Sequence, residues 1–346
     1  MFKELKGFGG NLFEAEFAKN VKKNYASHIL VKLVDFDWSF IRDEVTNYYS
    51  KNGQHAFDPV LMFKILFLKE AMNLNSDYQL EELINLHILF RFFLNVSFDD
   101  QLPDRSTIVV FRNMLVEKGL FDKAFHKIVI YAQEKGFLKD CLGAADSTVI
   151  EAKVNLSRWA KKKEDEDDKD YIDRNSPDKE AAFGAKGEQK YYGYKSHQIT
   201  DIKSEMVVAV QTTPANVHDV KPFPDLLALG KALLQENLLA ITADKAYGGR
   251  EKEIQHLNII DFVIPKDNQE FWKQWKESND DYVYARSMRC IVEKPFAVGK
   301  RSYRLRRCRY WGLLKTHAQS LLTYMSYNLK KIFAPPPPLT PAAIAT

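Results

Sequence analysis

From about Trp38 to Tyr49 apolar residues recur at helical spacing. A stronger signal stands at Asp58-Pro59, where an acid suits the cap of a helix and proline suits its first position. The spacing then predicts a helix through VLMFKILFLKEAM. Ser76 marks another start, with Gln79 three residues on as its capping-box partner, and one helix is predicted over DYQLEELINLHILFRFFLN. Ser106 reads as the cap of TIVVFRNMLVEK, which Gly119 ends, and FDKAFHKIVIYAQEK reads as a helix stopped at Gly136. Residues 1–34 pattern weakly. Residues 1–136 are therefore expected to form an all-helical N-terminal domain serving DNA binding or dimerisation. Periodicity alone leaves both a plain bundle and a bundle with a helix-turn-helix open.

The pattern changes at 138–152, LKDCLGAADSTVIEA. Residues 142–150 read as a short buried strand with Asp146 near its middle. An acid inside such a strand is expensive to bury unless it is paired or binds a cation, and the plain alternative is a turn cap at a strand end. Residues 158–189 are dense in charge and poor in apolar side chains, which predicts a solvated, mobile insertion. KYYGYKSHQITD and EMVVAVQTT then read as an antiparallel hairpin linked at 202–204. Residues 222–234 look helical. LLAITAD is a short strand ending in Asp244, AYGGREKEIQHLN a helix, and IDFVIP a strand closed by Pro265. A polar insertion at 266–283 and a final helical region follow. A three-strand meander followed by alternating helix and strand predicts an α/β fold, a mixed sheet with helices on both sides. Asp244 would lie in the crevice at the strand ends, and Asp146 would reach it if the two strands are neighbours. A further acid, Glu293, stands in RCIVEKPF, where Pro295 is expected to kink or end a helix just after it.

Composition narrows the picture. The chain has 346 residues, room for two domains, and its 45% hydrophobic and 13% aromatic content points to a buried core rather than disorder. The longest apolar stretch, LINLHILFRFFLNVSF, is interrupted by His87 and Arg91, so no membrane span is expected. The first residues lack a signal-peptide pattern. Cys141, Cys290 and Cys308 are far apart and form no CxxC pair, which argues against a zinc site or a disulfide framework. A reduced, cytoplasmic protein is the expectation. The net charge of +4 says little, but Lys and Arg recur from 286 to 330 with Glu293 as the one acid among them. That stretch reads as a basic surface suited to a phosphate backbone, or more plainly as a solubilising helix.

Three carboxylates from three separate elements fit a phosphoryl-transfer site with two Mg²⁺ ions about 4 Å apart, since this cation takes oxygen ligands and keeps several waters. Asp146 would be shared between the ions, with Asp244 and Glu293 each completing one. If its region is helical, Arg289 lies one turn from Glu293 on the same face.

ADSTVIEA, YYGYKSHQITD, TTPANVHD, ITADKAYGG and the spacing of Arg289, Glu293 and Lys300 together resemble the DDE transposases of bacterial insertion sequences, in the group that includes the insertion sequence 5 family. The resemblance spans roughly residues 57–330. It implies an RNase H-like catalytic domain at 137–333, a metal-binding triad of Asp146, Asp244 and Glu293, and Mg²⁺ as cofactor with Mn²⁺ as a substitute. It also implies backbone contacts to transposon-end DNA by Arg289 and Lys300. Arg286 stands where the family has its signature Tyr. With Arg304, Arg306 and Arg307, it completes the basic set expected to touch double-stranded DNA, both transposon ends and target. A homodimer or higher oligomer on DNA, associated with the nucleoid, is the implied assembly. A nuclease of the same fold that cuts without joining and an inactive DNA-binding descendant are the alternatives. Residues 334–346, rich in proline, are expected to be a disordered tail.

Overall fold

The computed structural model describes residues 2–49, 55–186, 188–266 and 270–334. The expected proline-rich tail lies, beyond Ala334, outside the described residues. The chain forms two compact units. One holds the described residues within Met1–Lys69, Leu74–Phe111 and Leu329–Thr346, and the other holds Glu70–Asn73 and Arg112–Asn328. Among the described residues no helix is long and apolar enough to cross a membrane.

The first unit is helical around a core of Leu30, Leu33, Trp38, Phe63, Phe67 and Phe93. The weakly patterned N-terminus contains a helix, Leu12–Asn24, capped by Asn11. Its Glu14 is fully buried yet accepts hydrogen bonds from the backbone of Gly9 and Phe98 and from the Ser97 hydroxyl. Burial alone would push this carboxyl up, but those donors outweigh it and hold it below the usual range. Ser76 caps its helix as expected, accepting from Gln79 N at 3.0 Å.

Two expectations fail here. The helix predicted over residues 77–95 breaks at His87, which is extended (φ −93°, ψ 111°), leaving Asp77–Leu86 and Ile88–Leu94. The break leaves Leu86 exposed and lets Phe90, Phe92, Phe93 and Leu94 bury together. The helix Arg105–Glu117 is capped not by Ser106 but by Asp104, whose carboxylate accepts from Thr107 N at 2.7 Å and from the Ser106 hydroxyl.

The second unit is built on six strands: β1 (Cys141–Glu151), β2 (Ala182–Lys186), β3 (Gln189–Asp201), β4 (Val207–Pro214), β5 (Leu238–Thr242) and β6 (Ile260–Asp261). The path runs β2-β3-β1-β5-β6, with β4 also on β3. β1, β3 and β4 pair antiparallel, and β5 and β6 join parallel to β1. A meander of three antiparallel strands extended by two parallel ones is the RNase H-like arrangement. β1 can be central because its residues are small where neighbours press. A Cβ on Gly143 would lie 2.9 Å from the side chains of both Ile199 and Ile241.

Helix Phe223–Leu234 covers one face of the sheet, with Gly230 against Ile199 and Leu238. On the other face, helix Leu313–Ile332 buries Thr316, Gln319, Thr323 and Asn328, and each polar group finds a use. Asn328 exchanges hydrogen bonds with the backbone of Val207 at 3.0 and 2.7 Å, and His317 bridges Thr212 and Asp122.

Three further differences follow. The units do not divide at 136, because helix Leu120–Glu134 buries Phe121, Phe125, Ile128 and Val129 and packs on Phe223–Leu234. Residues 158–189 are not a bare solvated insertion. They carry a helix, Asp168–Asn175, the strand β2, and the aromatics Trp159, Tyr171 and Phe183, which cluster with Tyr192 of β3. Asp178 accepts from the Tyr194 hydroxyl at 2.6 Å and from Gly312 N at 3.1 Å, docking the segment. Its aromatics are too irregularly spaced to show a period, so its charges dominated the pattern. Finally, Pro295 does not end a helix but lies in the first turn of one, Glu293–Ser302, where its missing N–H costs nothing.

Candidate active site

Asp146 is half-buried in the middle of β1 and accepts a hydrogen bond from Ser147 N at 2.7 Å. The parallel ladder with β5 runs to the pair Ala144–Thr242. Two residues further along each chain stand Asp146 and Asp244. Strand pairs lie about 4.8 Å apart and side chains repeat every two residues, so both carboxylates leave the same face side by side. Asp244 stays extended just past the end of β5 (φ −72°, ψ 172°) and caps the turn Lys245–Tyr247 by accepting from Ala246 N at 2.8 Å.

Tyr247 is buried next to this pair, against Phe223. Its hydroxyl is pushed well above the usual tyrosine range by burial first, then by the carboxylates of Asp146, Asp219 and Asp244. Three acids thus gather around one phenol that stays neutral. Asp219 is held by Lys195 at 2.9 Å. Beside it, burial drives His197 down to about 4, with Asp219 opposing and Lys195 adding to the shift.

Glu293 arrives from the helical side. The turn Arg289–Val292 packs on β1 and β3. Its last carbonyl, of Val292, accepts from Gln198 Nε2 at 3.1 Å, and Gln198 is the residue paired with Asp146 in the β1–β3 ladder. Glu293 follows at once as the exposed first residue of its helix. Asp146 and Asp244 thus stand side by side where β5 ends, and Glu293 follows the turn tied to Gln198. They do not close a ligand cage: among the described residues no group of three or more His, Cys, Asp or Glu is arranged to hold a metal ion. The donor chemistry nevertheless fits Mg²⁺, which binds through one or two carboxylates and keeps its waters, and Asp146 with Asp244 supplies that number. Gln198 Oε1, buried and without a hydrogen-bond partner, adds a polar oxygen beneath them.

The basic residues divide by role. The Arg289 side chain is half-buried and makes no hydrogen bond or ion pair with the described residues. Lys300 lines a cleft of about 500 Å³ with Thr148, Tyr191, Gln189, Arg301 and Arg306. Arg286 reaches Glu277 at 3.2 Å, and Arg306 faces Glu151 at 3.8 Å, all four side chains being well exposed. Arg304 is exposed at a left-handed position, φ +57°. Arg307 is engaged otherwise than expected: its guanidinium donates to the carbonyls of Ala152 and Val154, fixing the chain after β1.

Sequence reasoning missed Gln198, Tyr247 and Arg301. Gln198 shares a face with Asp146 only once the strand register is known. Tyr247 looked like an ordinary aromatic after a strand.

A carboxylate on the central strand beside one at the end of its parallel neighbour is a donor pair suited to metal-dependent phosphoryl transfer. Residues 138–329 match the family described as Transposase DDE domain, and residues 15–114 match Transposase domain (DUF772). The chain belongs to the DDE transposase family. Among solved structures, a Mos1 transposase paired-end complex with left transposon end shares 11% identity over 82% of this chain and 96% of that one, at a TM-score of 0.21. That likeness is too slight to bear on fold or function.

Proposed function

We propose that this transposase belongs to the group around the insertion sequence 5 family. It binds the terminal inverted repeats of its element, cuts the strand there and joins the 3′-hydroxyl to target DNA. The observation that supports this reading is that Asp146 and Asp244 each follow by two residues a paired position on adjacent parallel strands, while Val292, next to Glu293, accepts from Gln198. Asp146, Asp244 and Glu293 would hold two Mg²⁺ ions, with Mn²⁺ as a substitute, and the ions would supply Lewis-acid stabilisation and an activated attacking oxygen.

The chain's own residues do the rest. The β1–β5 ladder fixes the spacing of two carboxylates. Gln198 sets where Glu293 starts. Tyr247, neutral and buried, excludes water beneath the pair. Arg289 and Lys300 hold the transposon-end backbone, and Arg286, Arg304 and Arg306 extend that basic track. Phosphate contacts of this kind fix register on the duplex rather than read its sequence. The protein works in the cytoplasm on nucleoid DNA as a homodimer or higher oligomer.

The test uses duplexes carrying the inverted repeats that flank the gene. With Mg²⁺, the protein should cut at the repeat end and join pre-cleaved ends to a target plasmid. Cutting without joining would favour a nuclease of this fold, and specific binding with neither would favour an inactive descendant.

A further inference from the structure

Among the described residues, buried charged side chains have partners, with one exception. Lys69 pairs with Asp77 at 2.5 Å, Arg309 with Glu70 at 3.2 Å, and Lys276 with Asp261 at 3.1 Å. Arg91 donates to the carbonyls of Asn85 and Ser97. Lys64, in the apolar run of helix Pro59–Ala71, is only 6% exposed, and its ammonium makes no hydrogen bond or ion pair with the described residues. Its ammonium rests 4.5 Å from the ring centre of Phe93. Leaving an ammonium buried and unpaired is costly.

Lys64 lines a cavity of about 600 Å³ within the helical unit. That volume is typical of small-molecule sites, roughly 300–1,000 Å³. Lys3 lines it too, its ammonium 4.1 Å from the ring centre of Phe57 and likewise without a carboxylate. The remaining charges on the wall are already committed. Arg42 pairs with Asp58, and Asp37, at the exposed rim, accepts from Ser39 N. Two lysines thus line the space, and no carboxylate among the described residues pairs with either. The opposing wall is aromatic, with Phe36 and Trp38 packed edge to face at 4.9 Å.

We infer that this cavity binds a phosphate-type anion carried on a ring-bearing body, of which a nucleoside monophosphate is the simplest form. The anion sits at Lys64 and Lys3, and the ring body lies against Phe36 and Trp38. The same chemistry is offered by a free nucleotide and by the phosphorylated terminal nucleotide of a DNA strand. Burial lowers Lys64 to about 8, so near that pH about half of these groups are neutral in the empty site. An anion favours the charged form, and binding therefore draws in a proton.

The test is calorimetric titration of the full chain at pH 8 with dAMP, deoxyadenosine and inorganic phosphate, in two buffers of different ionisation enthalpy. Wild-type protein should bind dAMP saturably with proton uptake, and deoxyadenosine at least about tenfold more weakly. Lys64→Met should weaken dAMP by about tenfold or more and remove the proton uptake, while its ligand-free melting temperature stays equal or rises. Lys3→Met, at a half-exposed position that does not threaten folding, should weaken dAMP about threefold. Displacement of dAMP by a 5′-phosphorylated oligonucleotide, and not by its unphosphorylated form, assigns the source to a DNA end. No displacement by either assigns it to a free nucleotide. Absence of dAMP binding to wild-type protein, or unchanged binding to Lys64→Met, overturns the inference. None of these readouts depends on DNA cleavage, so failure here and failure of the catalytic proposal are separable.

Discussion

Asp146 and Asp244 stand on neighbouring parallel strands whose register is set by backbone hydrogen bonds, whereas Glu293 opens a helix joined to the sheet near them through the side-chain amide of Gln198. The strand side is half-buried and backed by Tyr247, and the helix side is exposed. A backbone ladder resists displacement at every rung. A single side-chain hydrogen bond yields for a net cost of about 1 kcal/mol. The two halves of the site therefore differ in stiffness. The strand pair is preset, and the helix start is the part that a bound cation or DNA end can draw in.

The largest effect that tests this contrast is on the strand side. Asp146→Asn or Asp244→Asn should lower end cleavage and strand transfer by about 10³-fold or more, the scale of losing a central electrostatic group. Binding to end DNA should be retained, as read in a mobility-shift assay. Equal residual activity in these variants and wild type would remove the strand pair from the chemistry. Next comes the tie itself. Gln198→Leu removes the donor to Val292 O and should reduce cleavage about 10- to 100-fold, as is usual for residues that orient ligands, with DNA affinity unchanged. Full activity would mean that the helix start is set by packing alone.

Smaller effects separate the two neighbouring arginines. Arg306→Gln should lower the slope of log affinity against log salt by about 1 with little change in melting temperature. Arg307→Gln should instead cost about 1 kcal/mol of stability, because two carbonyls lose a charged donor, and should leave the slope nearly unchanged. The reverse pattern would exchange their roles. Smallest for catalysis is Trp159→Ala. It should leave cleavage activity within about twofold while opening 158–189 to limited proteolysis, a segment expected to resist nicking in the wild type because of its aromatic cluster.

Much of this was legible in the chain. The strand carrying Asp146, the acid at the end of LLAITAD, and the meander followed by helix–strand alternation all follow from local pattern. The sequence motifs pointed to the transposase family before any coordinate was known. What escaped depends on register or on distant partners. Nothing in KSHQITD says that Gln198, rather than His197, faces Asp146, because that parity is fixed only when β3 pairs with β1. Pro295 was read as a helix stop because a proline signals either a start or a stop, and its neighbours did not decide which. Arg307 counted as one more basic residue until its two carbonyl partners appeared. Lys64 was hidden in an apolar run, where one lysine at helical spacing looks like a solvated face.

The central claim is that Asp146, Asp244 and Glu293 serve one metal centre although Glu293 begins outside a closed cage. Iron(II)-dependent hydroxyl-radical cleavage of the protein backbone tests it most directly, since iron(II) in the Mg²⁺ site cuts the chain only close to the ion. Cuts should cluster at residues 144–148, 242–246 and 291–295, be suppressed by excess Mg²⁺ and be lost together in Asp146→Asn. Cuts at the first two clusters without the third, or persistence of all three in Asp146→Asn, would contradict that claim.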